Sequence, residues 1–283
     1  MANVTAVSPP ESWLRSLARH LGSSGTGEIE TRLTSSDAEL HLLDDLVIKV
    51  HALRTDPETL ARRLRLASGT AQLVPPLETR PSTAPDGRHV SVWPRVDVAD
   101  PNAVRQPWAE AGVLLAGLHR TPPPPGLPRH GWPIRLARAV ERAPAGLHDL
   151  GSRLTLEANR LEHPEILLHG DWHLGQLGRG PDGWRLLDVD DLGVGDPAWD
   201  LARPAGFWAC GLLDDEAWHT FLDAYRDAGG PAVPAFGDPW SALDLPARCA
   251  VFVAAVRATR SAGDSDSRCT AEALLAACRR MAK

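Results

Sequence analysis

The stretch from Ile166 to Asp191 constrains this chain more than any other. Ile166-Leu167-Leu168 is a short apolar run ending in His169-Gly170-Asp171, so a buried strand delivers Asp171 to a loop where Gly170 allows an unusual backbone angle. Trp184-Arg185-Leu186-Leu187 reads as a second strand signal after the turn Gly180-Pro181-Asp182-Gly183, and it ends at Asp188. Strands joined by this turn are expected to pair as a hairpin, which returns Asp188 to the side of Gln176. A carboxylate, an amide oxygen and a second carboxylate then share one short span. Magnesium-assisted phosphoryl transfer needs such groups: a carboxylate to orient a hydroxyl and take its proton, and hard oxygen ligands for the metal. Asp171 is the candidate catalytic base, and Asp188 with Gln176 the candidate Mg2+ ligands.

The same residues leave a rival chemistry open. His169, Asp171 and His173 alternate, and on one face of a strand they would be zinc ligands. Gly170 and the polar run point to a loop instead, and no further His/Cys set completes a site. His169 then belongs under the loop as a structural residue.

Lysine usage points the same way as the carboxylates. Of 30 basic residues, only Lys49 and the terminal Lys283 are lysines. Lys49 sits in Leu46-Val47-Ile48-Lys49-Val50, a β-branched run after the turn Asp44-Asp45. A compact ammonium on a rigid strand suits the phosphates of ATP as a point charge, in the Val-x-Lys pattern of kinases. An exposed strand lysine is the plainer alternative.

With these residues in place, the chain resembles the aminoglycoside phosphotransferase family of the protein-kinase-like superfamily. That family carries His-Gly-Asp, a downstream amide, a hydrophobic-Asp segment and Gly-x-Gly-Asp-Pro before a helix bearing an Asp. Here these read His169-Gly170-Asp171, Gln176, Leu187-Asp188, and Gly193-Val194-Gly195-Asp196-Pro197 with Asp200. The resemblance is dense from about Leu167 to Ala202. It implies an α+β, two-lobed protein-kinase-like fold: a small antiparallel-sheet N-lobe over 1–95, and a larger, mostly helical C-lobe over 96–283. It also implies ATP and Mg2+ as cofactors and a small-molecule hydroxyl as acceptor.

Three departures qualify it. Gln176 stands where Asn is usual; in this the loop is similar to the maltokinase and glucosamine-kinase branch, which points to sugar or amino-sugar acceptors beside aminoglycosides and related antibiotics. The glutamate that normally pairs with the strand lysine is not obvious; Glu58, near the start of the next helix, is the one available, and it also suits the helix dipole. The nucleotide-covering loop is not glycine-rich, leaving Ser35 and Ser36 to present hydroxyls and N–H groups to phosphate. In the fold that the resemblance implies, Val92-Trp93-Pro94-Arg95-Val96 is the hinge that holds the adenine edge, with Trp93 a candidate nucleotide contact; an ordinary edge strand with proline is the plainer alternative. A nucleotide-binding regulatory module without activity is a third reading, against which Lys49, Asp171 and Asp188 all stand.

Composition narrows the rest. A net charge of −6 without a dense basic run argues against nucleic acid as the main ligand. No apolar stretch of about eighteen residues is long enough to span a membrane. The N-terminus lacks signal-peptide features, and Cys210, Cys249, Cys269 and Cys278 are scattered, as expected of reduced thiols in a cytoplasmic protein. Helices are expected at Glu11–Leu21, at the Glu58 segment, at Trp108–Leu118 and in four stretches after residue 198. A strand pair is expected between Leu73-Val74 and His89–Trp93. Thr121–Pro128 is a stiff loop that lines the acceptor pocket or merely connects helices. Asp190, Asp191, Asp214, Asp215, Glu216 and Asp223 are the carboxylates available to a cationic acceptor, and Phe207 and Trp208 either stack on a sugar or pack in the core.

Overall fold

Alternation of apolar residues, two-residue turns and helix capping signals set the elements of the first half. In the computed structural model, which describes residues 8–34, 37–100, 102–160, 164–260 and 265–282, the chain divides into two compact units. One takes in the described residues of Met1–Val98 together with Gly178–Asp190; the other takes in those of Ala99–Leu177 and Asp191–Lys283.

The first unit begins with α1 (Glu11–His20), followed by β1 (Glu30–Leu33), β2 (Glu39–Leu43) and β3 (Leu46–Val50). Asp56 caps α2 (Pro57–Gly69) by accepting a hydrogen bond from Thr59 N at 2.8 Å, with proline in the first turn where no N–H is missed. Then come β4 (Ser82–Thr83), β5 (His89–Pro94) and β6 (Asp97–Val98). Five strands form an antiparallel sheet in the order β1-β2-β3-β5-β4. Leu46, Ile48 and Val50 face the core with Val90 and Val92, packed against Leu14 and Ala18 of α1. Period-two alternation therefore turns Lys49 to the opposite face.

The second unit opens with α3 (Trp108–His119), α4 (Trp132–Arg142), α5 (Ala145–Ala158) and β7 (Ile166–Leu168). After a single 3-10 turn at Leu174–Gln176, the chain returns to the first unit for the hairpin of β8 (Leu177–Gly180) and β9 (Gly183–Leu186). It then completes the second unit with β10 (Gly193–Gly195), α6 (Ala198–Ala209), α7 (Asp215–Asp227), α8 (Trp240–Ala258) and α9 (Ser265–Met281). β10 pairs antiparallel with β7, placing Gly193 opposite Leu168. Phe252, Val251 and Val256 of α8 are central to a core shared with α4, α5, α6 and α9. Among the described residues no helix is long and apolar enough to cross a membrane.

An antiparallel sheet beside a pair of helices, followed by a helical unit, is the expected protein-kinase-like, α+β arrangement. Two local expectations are corrected. Leu73 and Val74 do not pair with β5: Leu73 forms a parallel bridge with Leu186, and Val74 N donates to Leu186 O, while β4 takes the place beside β5. Pro75 and Pro76 follow at once and have no N–H to extend a ladder. Helices α4 and α5 were not expected, although α4 has a proline in its first turn and buries Trp132, Leu136 and Ala139 along one stripe. The Pro-rich loop ends as a connector backing β10, where Val194 N donates to Pro128 O and His130 N to Val194 O.

Candidate active site

In the first unit, the antiparallel register sets Lys49 directly across from Ser91, and alternation adds His51 and Trp93 to the same face. Asp188 follows β9 in a left-handed conformation, φ +60°. A non-glycine residue held there stores strain that the surrounding contacts must hold in place. Those contacts are the Lys49 ammonium, 2.8 Å from Asp188 Oδ1, and Asp190 N, which donates to the same oxygen at 3.0 Å. Lys49 also reaches Asp190 Oδ2 at 2.9 Å.

Lys49 is buried, yet charged in effect. Burial alone would pull its pKa down; the paired charges of Asp188 and Asp190 more than reverse this and hold it above the ordinary lysine value. For Asp190, burial works to raise the pKa, and Lys49 and His51 outweigh it, so the carboxyl is held well below its usual range. Trp93 is half-buried, and its indole Nε1 donates to Ser91 Oγ at 2.9 Å. Glu58 is not among these residues. Its side chain is 82% exposed and faces Arg62 across one helical turn at 3.7 Å, an arrangement of a solvated helix surface. Ser35 and Ser36 lie outside the described residues.

In the second unit, Asp171 stands on a loop whose shape is fixed from below. Asp200 on α6 is buried and accepts hydrogen bonds from His169 N at 2.7 Å and Gly170 N at 2.8 Å. His119 meets the same carboxylate at 3.1 Å and Tyr225 OH at 2.8 Å. Burial would raise the Asp200 pKa, and the hydrogen bond and charge of His119 are the main forces that bring it below the ordinary value. Gly170 has φ +85°, and a Cβ there would collide with the Asp191 carbonyl, so only glycine fits this turn. Trp172, next to Asp171, is buried and stacked on Phe221 with ring centroids 5.0 Å apart. The loop is rigid by construction.

Two guanidinium groups meet Asp171. Arg203 on α6 donates to Asp171 Oδ1 at 3.0 Å, and Arg135 on α4 approaches it at 3.5 Å. Arg135 also donates to Gly170 O and Asp191 Oδ2, and lies over the Trp132 ring 4.8 Å from its centroid. Burial depresses the Arg203 pKa, with the Asp171 charge opposing. Asp171 Oδ2 has no protein partner among the described residues, so one oxygen is left for an acceptor hydroxyl. Gln176 closes the 3-10 turn, its N–H donating to His173 O at 2.8 Å, and its side chain is half-buried.

The donor set fits magnesium held jointly with a nucleotide. Asp188 is a hard carboxylate, about one-third exposed, whose Oδ2 has no partner among the described residues. Mg2+ is typically bound by one or two protein carboxylates plus phosphates and water, so a full protein cage is not required. A zinc site does require one, and among the described residues no three His, Cys, Asp or Glu side chains cluster to hold a metal. The zinc reading of His169, Asp171 and His173 is therefore set aside. The acidic residues offered for a cationic acceptor are largely engaged elsewhere: Asp190 with Lys49, Asp191 with Arg135, Asp214 as the cap of α7, and Asp215 with the Trp208 indole. Phe207 packs against the α8 core, and Trp208 stacks on Trp218 and Trp240.

Sequence reasoning passed over His51, Arg135 and Arg203, and treated Asp190 only as surface charge. Asp188-Val189-Asp190 does alternate, which signals two carboxylates on one side of an extended segment. Arg203 lies three residues after Asp200, a spacing that places both on neighbouring helix positions.

The fold has close parallels among solved structures. A choline/ethanolamine kinase family protein from Mesorhizobium loti aligns with TM-score 0.65 and 17% identity, covering 96% of this chain and 94% of that one. A macrolide 2'-phosphotransferase from Brachybacterium faecium aligns with TM-score 0.54 and 16% identity, covering 93% and 98%. A spectinomycin phosphotransferase in complex with ADP and spectinomycin aligns with TM-score 0.60 and 14% identity, covering 96% and 98%. Among curated proteins, none matches the chain in sequence. The family model described as the phosphotransferase enzyme family, APH, matches residues 35–240. With most of its length matched, the chain belongs to the APH phosphotransferase enzyme family, and it shares its fold with these kinases.

Proposed function

We propose that this enzyme transfers the γ-phosphate of ATP, with Mg2+, to a hydroxyl of a small molecule in the cytoplasm. The ion pair of Lys49 with Asp188 carries the proposal: a buried cation suited to phosphates sits against a carboxylate suited to the metal that rides on them. Lys49 binds the phosphates, and the β5 segment at Trp93 lies along the adenine. Asp188 would hold Mg2+, which when bound would neutralise phosphate charge; the Gln176 amide oxygen, the second ligand expected from the sequence, belongs to the other unit. Asp171 orients the acceptor hydroxyl through its uncommitted Oδ2 and takes the proton as the oxygen attacks in line. Arg135 and Arg203 fix that carboxylate by its other oxygen.

For the acceptor, likeness in fold to macrolide and spectinomycin phosphotransferases supports an aminoglycoside or related antibiotic. A second reading, a sugar or amino-sugar kinase, draws on a specific observation. Two guanidinium groups beside the proposed base repel a polycation more than a neutral sugar, and Asp190 and Asp191 are already neutralised by partners.

The test is product mass after incubation with ATP, Mg2+ and pooled aminoglycosides, macrolides, sugars and amino sugars. A gain of one phosphate on one compound, lost in Asp171→Asn, is the expected result. ATP binding with no transfer to any acceptor would favour a nucleotide-binding module, and no ATP binding at all would overturn the proposal.

A further inference from the structure

We infer that Asp190, clamped by His51, is the carboxylate that holds Lys49 in place for nucleotide phosphates, a role for which helix α2 offers nothing. This rests on the phosphotransfer reading above and adds a positioning residue to it.

A lysine ammonium has three N–H groups. One donates to Asp188 at 2.8 Å and the ammonium forms an ion pair with Asp190 at 2.9 Å, which still leaves an N–H for a phosphate oxygen. Asp188 is the group that a metal claims in the proposed reaction. Asp190 then remains as the fixed counter-charge that prevents the ammonium from swinging away with its ligand.

Asp190 is itself held from behind. His51 is fully buried just after β3, two residues beyond Lys49, and its Nδ1 faces Asp190 Oδ1 at 3.3 Å. Both atoms are buried and neither makes a hydrogen bond among the described residues, so each has only the other close at hand, in an ion-pair approach. On its other side, His51 Nε2 lies 2.8 Å from Ser91 Oγ, which accepts the Trp93 indole N–H at 2.9 Å. An indole nitrogen only donates, so the serine hydroxyl proton is free to point at His51 Nε2. That assignment leaves the His51 proton on Nδ1, the nitrogen on the side of Asp190. The relay runs from Trp93 through Ser91, His51 and Asp190 to Lys49, and every member belongs to the first unit. Glu58 on α2, exposed and facing Arg62, takes no part.

A double-mutant cycle read by ATP binding tests this without depending on turnover. The variants are Lys49→Met, Asp190→Asn, the pair together, Asp190→Glu and His51→Gln, each titrated calorimetrically with ATP and Mg2+ and checked for cooperative unfolding. The expected result is a loss of affinity of about tenfold for Asp190→Asn, the scale seen when a residue supporting a binding group is removed. Added to Lys49→Met, the same change has no further effect. Asp190→Glu restores part of the affinity, and His51→Gln loses about threefold. With an active acceptor, Asp190→Asn raises the ATP KM more than it lowers kcat. Additive losses in the double variant would overturn the proposal, as would a defect in Asp190→Asn that excess Mg2+ repairs, which would make Asp190 a metal ligand. If Asp190→Asn does not fold, unchanged affinity in His51→Gln overturns it instead. Equal ATP binding by wild type and Lys49→Met would bring down the phosphotransfer reading as well, which separates the two failures.

Discussion

The loop bearing Asp171 and the segment bearing Asp188 are held in opposite ways. Beneath Asp171, shape and chemistry are separated: Asp200 is buried, takes two backbone N–H groups and His119, and leaves Asp171 to face its own partners. Around Asp188, the groups that hold the segment are the same groups proposed to bind phosphate and metal. Lys49, Asp188 and Asp190 hold one another, and Asp188 is kept at a positive φ. Damage to the first region therefore divides cleanly into loss of function or loss of stability, according to the residue. Damage to the second mixes them.

The largest expected effect tests that division on its functional side. Asp171→Ala should lower transfer by about a thousandfold, within the usual range for loss of a general base, and leave ATP affinity nearly unchanged. Retention of full activity would remove Asp171 from the mechanism. On the stability side, Asp200→Ala strands two buried backbone donors and His119, and should cost about 3–5 kcal/mol in urea unfolding. This contribution has a pH sign. The folded pKa of Asp200 lies below its unfolded value, so the stabilisation is complete above the ordinary carboxylate pKa and fades as pH falls through the lowered one. The gap in stability between wild type and Asp200→Asn should accordingly shrink on acidification below about pH 4, the ordinary carboxylate value. A gap that stays constant down to pH 3 would deny Asp200 its charged role.

The two regions also differ in how far they could be read in advance. Asp171, Gly170 and Asp188 stand in local patterns, because an apolar run, a glycine and a turn each act over a few residues. The Gly180–Gly183 turn and helices α1, α3 and α7 follow from equally local signals. The Lys49 surroundings do not. His51 and Asp190 are 139 positions apart, and their meeting depends on β3, β5 and the segment after β9 taking one particular register. Glu58 was the natural nominee for the lysine's partner because it lies on the next helix, where pairing would be short-range. Arg203 and Arg135 reach Asp171 from separate helices, one of which, α4, follows a proline-rich loop that interrupts periodicity. Short-range pattern revealed the reactive groups, and long-range packing supplied their partners.

A smaller effect probes the backbone of the Asp171 loop alone. Gly170→Ala must place a side chain at φ +85° against the Asp191 carbonyl, and should cost about 2 kcal/mol or more from the left-handed backbone and the forced shift together. Activity should fall with it, because Gly170 O also receives Arg135. A neutral Gly170→Ala would mean that the loop yields easily and that the separation of shape from chemistry is weaker than the hydrogen bonds suggest.

The smallest effect carries the most discrimination for the Lys49 region. Glu58→Ala should change stability by less than about 0.5 kcal/mol, as for an exposed ion pair, and leave the ATP KM where it was. A tenfold rise in that KM would mean that α2 does supply the lysine's partner once nucleotide is bound. Asp190 would then not be the lysine's partner in catalysis, and the Lys49 region would resemble the Asp171 loop after all, with a carboxylate from a helix holding its reactive group.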